Sequence, residues 1–266
     1  MSAPEISVQL YSIHPELDAD LDGSLAKLAE IGLTKVEAFD FVRRADELKA
    51  SFTKHGLSAP TGHAILIEDE GATTPDGLLT VPPVAETFAA AKTLGVQVVI
   101  DPYVGPDRWQ TREQVQAIAD RLNGRAAQAA EHGLKVGYHN HDHELSQTID
   151  GRPVLEVFAE LLDPSVLLEV DLYWAAAGGA DPLALVLRLG DRVHAVHIKD
   201  GPLRPGLSAA KLPDDQQPAG QGDVPLAAVL DGADQIAYAV IEFDHYEGDT
   251  FDGIAQSFAY LTSRLG

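Results

Sequence analysis

The sequence contains no cysteine. No disulfide, thiolate metal site or thiol nucleophile can be built from it, and a reducing compartment is compatible. Positive charge is scarce. The 19 Lys plus Arg face 41 Asp plus Glu, a net charge of −22, and a surface that negative repels phosphate backbones and anionic lipid headgroups. Nucleic acid and membranes are therefore not expected partners. No uninterrupted apolar run approaches the ~18 residues that span a bilayer, and the N-terminus MSAPEISVQLYSI has no basic stretch followed by a long apolar core. A cytoplasmic location is the expectation. No Gly-x-Ser-x-Gly elbow occurs, and the first β-to-α turn reads Tyr11-Ser12-Ile13-His14 instead of a Gly-rich phosphate turn.

What is present is a rhythm. Short β-rich runs alternate with longer segments of helical period, the pattern of βα units around a parallel sheet. Eight such units are legible, with strands expected at Ile6–Tyr11, Lys35–Phe39, Ser58–Ile65, Val96–Asp101, Lys135–His139, Val166–Asp171, Val193–Lys199 and Tyr238–Phe243. Gly56, Gly95 and Gly133 each follow an apolar-periodic helix and suit its left-handed cap. Eight units of ~33 residues fit a closed (β/α)8 TIM barrel, so the chain 1–266 is expected to be one α/β domain of that kind. Two long connections stand out, Glu68–Val81 and Asp200–Gly222. The second is expected to close over a substrate, because it leaves the most polar strand end.

In such a barrel the chemistry belongs to the C-terminal ends of the strands, and there this chain places its unusual residues: Glu37, His63, His139 to Glu144, Glu169 and Asp171, His197 and Lys199, and Glu242 to His245. Alternation along a strand puts His139 with His141, Glu169 with Asp171, His197 with Lys199, and Glu242 with Asp244, without fixing which face points inward. One buried His or Asp is ordinarily a hydrogen-bonded structural residue. Several carboxylates buried at one end of a barrel repel one another unless a cation neutralises them. Oxygen and imidazole donors without sulfur suit one divalent ion, Mn2+, Mg2+, Co2+, Fe2+ or Zn2+, and do not choose among them.

With those residues in view, the chain resembles the sugar phosphate isomerase/epimerase group of xylose isomerase-like barrels, and within it members carrying a Tyr-His-Asn-His-Asp-x-Glu segment, here Tyr138 to Glu144. The likeness spans nearly the whole chain. It includes Gln9-Leu10-Tyr11-Ser12, Glu169 to Trp174, Gly179 to Pro182, His197-Ile198-Lys199-Asp200, Gly220-Gln221-Gly222 and Ile241 to Asp244. The resemblance implies a metal held by Asp171, His197 and Glu242. The fourth ligand falls to His139 or Glu144, with Glu144 preferred because it keeps the carboxylate-rich set. It implies a metal-dependent isomerase or epimerase acting on a sugar, keto-sugar or cyclitol through proton abstraction next to a carbonyl. Glu242 would be the base, His139 or His141 the partner acid, and Lys199 the support of oxyanion charge. Glu37, His63 and Trp174 are the expected substrate contacts; Trp174 stands where many epimerases of the group have a His. Dehydration or elimination through the same enediolate is the alternative, followed by a phosphodiesterase like the apurinic endonucleases or a non-catalytic sugar-binding barrel. Homo-oligomerisation is left open.

Overall fold

The computed structural model describes residues 3–68, 71–74 and 77–266. Eight parallel strands form the barrel, numbered here β1 (Glu5–Val8), β2 (Lys35–Ala38), β3 (Ser58–His63), β4 (Val98–Asp101), β5 (Lys135–His139), β6 (Leu167–Asp171), β7 (Val193–Ile198) and β8 (Tyr238–Ile241). Each pairs in parallel with the next from β2 to β8, and β8 pairs with β1. A bridge between Gln9 and Glu37 joins β1 to β2 and closes the ring. The expected (β/α)8 barrel is thus observed as a single domain.

The strands are short because the chain turns away as soon as it reaches the polar rim. After β1 it enters a 3-10 turn, Leu10–Ile13, and after β6 a helix, Leu172–Ala177, whose first turn is capped by the Asp171 carboxylate at the Trp174 amide, 2.8 Å. Helices form where the apolar period predicts them. In Leu21–Ile31 the buried apolar positions are Leu21, Leu25 and Leu28, and Arg112–Glu131 opens with a capping box between Thr111 and Gln114. Gly56, Gly95 and Gly133 adopt φ of 71°, 86° and 72°, as their place after a helix required.

The two long connections differ from expectation in instructive ways. Within Glu68–Val81, Gly71–Thr74 and Gly77–Thr80 pair antiparallel, so this connection carries a two-stranded hairpin. The segment after β7 has no helix until Leu226–Gly232, yet its base is firmly held. The Asp200 side chain, 1% exposed, accepts from the backbone amides of Gly201 (2.9 Å), Gly220 (2.8 Å), Gly222 (3.0 Å) and Val224 (3.1 Å). Further out, the Ala209 amide donates to Asp142 at 2.7 Å. Any movement of this segment is therefore confined to its outer part. No helix among the described residues is long and apolar enough to cross a membrane.

Because hydrogen bonds to a charged acceptor contribute about 1.5–3 kcal/mol each and four amides would lose theirs, Asp200→Ala is expected to destabilise the fold by ~3 kcal/mol or more. Hydrogen exchange should locate the loss of protection at Gly201 and Gly220 to Val224. Unchanged protection of those amides would show that the knot does not hold the segment.

Candidate metal centre

Contacts between strands that are not neighbours settle which side chains face inward. His197 on β7 reaches Glu37 on β2, Nε2 to Oε1 2.8 Å, and His63 on β3 reaches Glu169 on β6, Nε2 to Oε2 2.7 Å. Two strands separate each of these pairs in the sheet, so both contacts run through the barrel lumen. Alternation then carries Asp171 inward with Glu169, ~6–7 Å nearer the mouth.

The result is two layers of side chains. In the inner one Glu37, His63 and Glu169 interact with one another and with the rings of His139 and His197. In the outer one His139 Nε2 lies 3.8 Å from Asp171 Oδ2, and His197 Nδ1 lies 2.5 Å from Glu242 Oε2. The Lys199 ammonium stands 3.0 Å from Asp171 Oδ2, 2.7 Å from Glu242 Oε2 and 2.7 Å from Asp244 Oδ1. Two overlapping sets of four residues bring their ligand atoms within 4.8 Å of one another: His63, His139, Glu169 and His197, and His139, Asp171, His197 and Glu242.

Burial and mutual charge set the protonation of these groups. Burial alone would depress His63 and His197, but the carboxylates facing them outweigh it: Glu37 and Glu169 raise His63 to about 10, and Glu169 and Glu242 hold His197 well above its usual value. His139 and His141 go the other way. Burial pushes both well down, assisted at His139 by His197 and at His141 by Lys199, so both are neutral imidazoles. Burial raises Asp171 to about 6 against the pull of Lys199 and His197. For Glu242 burial is overcome by Lys199 and His197, which hold the carboxyl well below its ordinary range.

Of the residues singled out in the sequence, the structure brings His139, Asp171, His197, Lys199 and Glu242 together in the outer layer. Glu144 goes elsewhere. The strand ends at His139 and a short helix, His143–Ser146, begins four residues on. There the Glu144 carboxylate accepts from the Tyr138 hydroxyl at 2.6 Å and the His141 amide at 2.9 Å, and neither four-residue set includes it. Glu37 and His63 lie in the inner layer, and the fully buried Trp174 packs against Tyr173, with the His141 ring 6.2 Å and the Lys199 ammonium 5.9 Å from it. His141 is only partly buried, and its Nδ1 has no hydrogen-bond partner. Sequence reasoning gave no role to Gln9, which donates to Glu37 at 2.7 Å, or to Glu169. The alternation of Glu169 with Asp171 was the available signal for the latter.

The donors fit a divalent ion. Asp171 Oδ2 makes no hydrogen bond and faces only the Lys199 ammonium at 3.0 Å, while Glu169 Oε1 and Glu37 Oε2 in the inner layer are buried without a hydrogen-bond partner, a costly state for carboxylate oxygens that a nearby divalent ion relieves. Nitrogen and oxygen ligands of this mixture accept several first-row ions as well as Mg2+.

Fold and site together define a (β/α)8 barrel with a buried cluster of His, Asp and Glu able to hold a metal at its C-terminal mouth. Residues 25–264 match the xylose isomerase-like TIM barrel family, and the chain belongs to it. It is 26% identical over 192 residues to an inosose dehydratase of Geobacillus kaustophilus (strain HTA426), a match covering 67% of this chain and 61% of that protein. Among solved structures it is similar to a sugar phosphate isomerase/epimerase from Parabacteroides distasonis, with TM-score 0.78, 21% identity and 97% and 98% of the two chains covered. The probable 3-DHS dehydratase AsbF of Bacillus anthracis superposes with TM-score 0.74 at 15% identity over 98% and 99%.

Two measurements probe the electrostatics. Asp171, raised to about 6, and His197, held well above its usual value, must both shed a proton to ligate, so ion affinity is expected to fall as pH drops and to fall most steeply below ~6; a flat titration calorimetry profile from pH 7 to 4.5 would contradict this. Lys199→Met leaves three carboxylates without their shared ammonium. Breaking a buried pair costs ~3–5 kcal/mol, so the ion-free variant should unfold at correspondingly lower urea, with added Mn2+ restoring part of the loss.

Proposed function

We propose that the protein is a divalent-metal-dependent enzyme that abstracts a proton next to the carbonyl of a sugar, keto-sugar or cyclitol, and that the outcome is isomerisation or epimerisation. The observation carrying this reading is the convergence of His139, Asp171, His197 and Glu242 from four consecutive strand ends, with the Lys199 ammonium beside them. These four would hold the ion, His139 taking the position first expected of Glu144. When bound, the ion supplies Lewis-acid polarisation of the substrate carbonyl.

The chain's own groups do the rest. Glu242, kept ionised by its cationic neighbours, takes the proton from the carbon. Lys199 meets the negative charge that develops on oxygen. Glu242 returns that proton to the adjacent carbon or the opposite face, and His141, a neutral imidazole, accepts the proton of the neighbouring hydroxyl and passes it to the carbonyl oxygen. Tyr103, whose ring lies 5.2 Å from that of His141, supplies the wall against which the apolar face of a ring substrate rests.

A second reading shares every step up to the enediolate. If a hydroxyl on the next carbon departs, the reaction is a dehydration, and the likeness to an inosose dehydratase favours this outcome. The experiment is a screen of keto-sugars and inososes in D2O with Mn2+ or Co2+. Deuterium incorporation without loss of water supports isomerase chemistry, whereas formation of an unsaturated ketone supports the dehydratase. Asp171→Asn should abolish exchange and reduce bound metal severely while leaving the fold nearly intact. Exchange that persists in that variant or in the presence of a chelator would overturn the metal-dependent reading.

A further inference from the structure

The two sets of candidate ligands share His139 and His197, and each shared ring turns one nitrogen to each layer. His139 presents Nδ1 to Glu169 Oε2 at 3.1 Å and Nε2 toward Asp171. His197 presents Nε2 to Glu169 Oε2 at 3.0 Å and Nδ1 to Glu242. Two ions held at once, one per layer, would need both rings as doubly deprotonated imidazolates, which no group here is arranged to stabilise. One layer therefore takes the ion and the other orients the rings.

The outer layer is the one a substrate can reach, since Glu169 lies two residues deeper along β6 than Asp171. The inner layer also has its own counter-charge. His63 Nε2 sits 2.7 Å from Glu169 Oε2 and 3.1 Å from Glu37 Oε1, and its ring stacks on His197 with centroids 5.4 Å apart at 9°.

We propose that Glu169 is the positioning residue of the metal centre: one carboxylate oxygen accepts from the inner nitrogens of His139 and His197 and thereby aims their outer nitrogens at the ion. The inference rests on the ion-binding reading above. It explains why three imidazole nitrogens converge on Glu169 Oε2, and why Glu169 is paired in register with His139 across β5 and β6, so that backbone and side chain fix the same ring. A carboxylate behind a ligating imidazole fixes its tautomer and strengthens it as a donor, and its loss typically weakens metal binding 10- to 100-fold. Of the two shared rings Glu37 reaches only His197, at 2.8 Å, and it also faces His63 at 3.1 Å, from a carboxylate itself held by Gln9. Glu37 and His63 are then supports of the ligands.

The test is titration of the purified, metal-free protein with Co2+, followed by its visible absorption and by elemental analysis, in wild type, Glu169→Gln, Glu169→Asp, Glu37→Gln and Asp171→Asn. Wild type should take up one equivalent. Glu169→Gln should still take up one, about 10- to 100-fold more weakly and with an altered spectrum. Glu169→Asp should recover part of the affinity. Glu37→Gln, which releases one ring instead of two, should show the smaller effect and provides an independent readout if Glu169→Gln does not fold. Unchanged affinity and spectrum in Glu169→Gln overturns the proposal. So does a loss of Co2+ as complete as in Asp171→Asn, which would make Glu169 a ligand, and so does a larger effect from Glu37→Gln. Wild-type protein that takes up no Co2+ overturns the metal reading itself, a result separable from all of these.

Discussion

Negative charge shut away from water governs this molecule. Five carboxylates, those of Glu37, Glu169, Asp171, Glu242 and Asp244, converge at one end of the lumen with side chains at most 8% exposed. Three cationic groups face them, His63, His197 and Lys199. Ligation of an ion at His197 Nδ1 would make that ring neutral, and with all the acids ionised three negative charges would then remain, two of which a divalent ion would cancel. Carboxylates so placed cannot be stable without partners, and the surrounding arrangement follows from that need. The imidazoles are turned edge-on to carboxylate oxygens, Lys199 is buried although lysine seldom is, and the amide of Gln9 is spent on Glu37.

Most of the architecture was legible in the sequence because a barrel repeats one local instruction. A strand run and a helix of apolar period recur eight times, several of the helices closing on a left-handed glycine, and each copy is readable alone. The strand ends were less so. The reading carried β1 to Tyr11 and β8 to Phe243, whereas the chain leaves the sheet at Val8 and Ile241, because polar rim residues find better partners in turns and caps than in a ladder. The hairpin within 71–80 was missed for a related reason: its strands are four residues each and carry too few positions to show a period.

The site was legible as a set of residues and illegible as a layering. Alternation pairs Glu169 with Asp171 but cannot say that one lies behind the rings and the other in front, since depth depends on how eight strands tilt around a common axis. Glu144 shows the same limit from the other side. Five residues separate it from His139, close enough in sequence to serve the same ion, yet a single turn of helix takes its carboxylate to Tyr138 and the His141 amide. Fold alone does not choose a reaction, because this barrel serves isomerases and dehydratases alike.

The knot at Asp200 separates two parts of the chain that could otherwise disturb each other. Asp200 directly follows Lys199, and the amides it gathers lie at both ends of the segment that spans the next crossover. The sequence between Pro202 and Asp215 can change while its ends return to the same carboxylate; Gln216 is fixed, because its side chain donates to Asp244 Oδ2 at 2.8 Å and accepts from the Asp244 amide at 2.7 Å beside the Lys199 ammonium. The part up to Asp215 is thus a replaceable cassette, tied at its base by Asp200 and Gln216 and touching the mouth further out through Ala209 and Asp142. A lineage, or an engineer, can lengthen or recompose it to suit a different polyol without rebuilding the chemistry beneath.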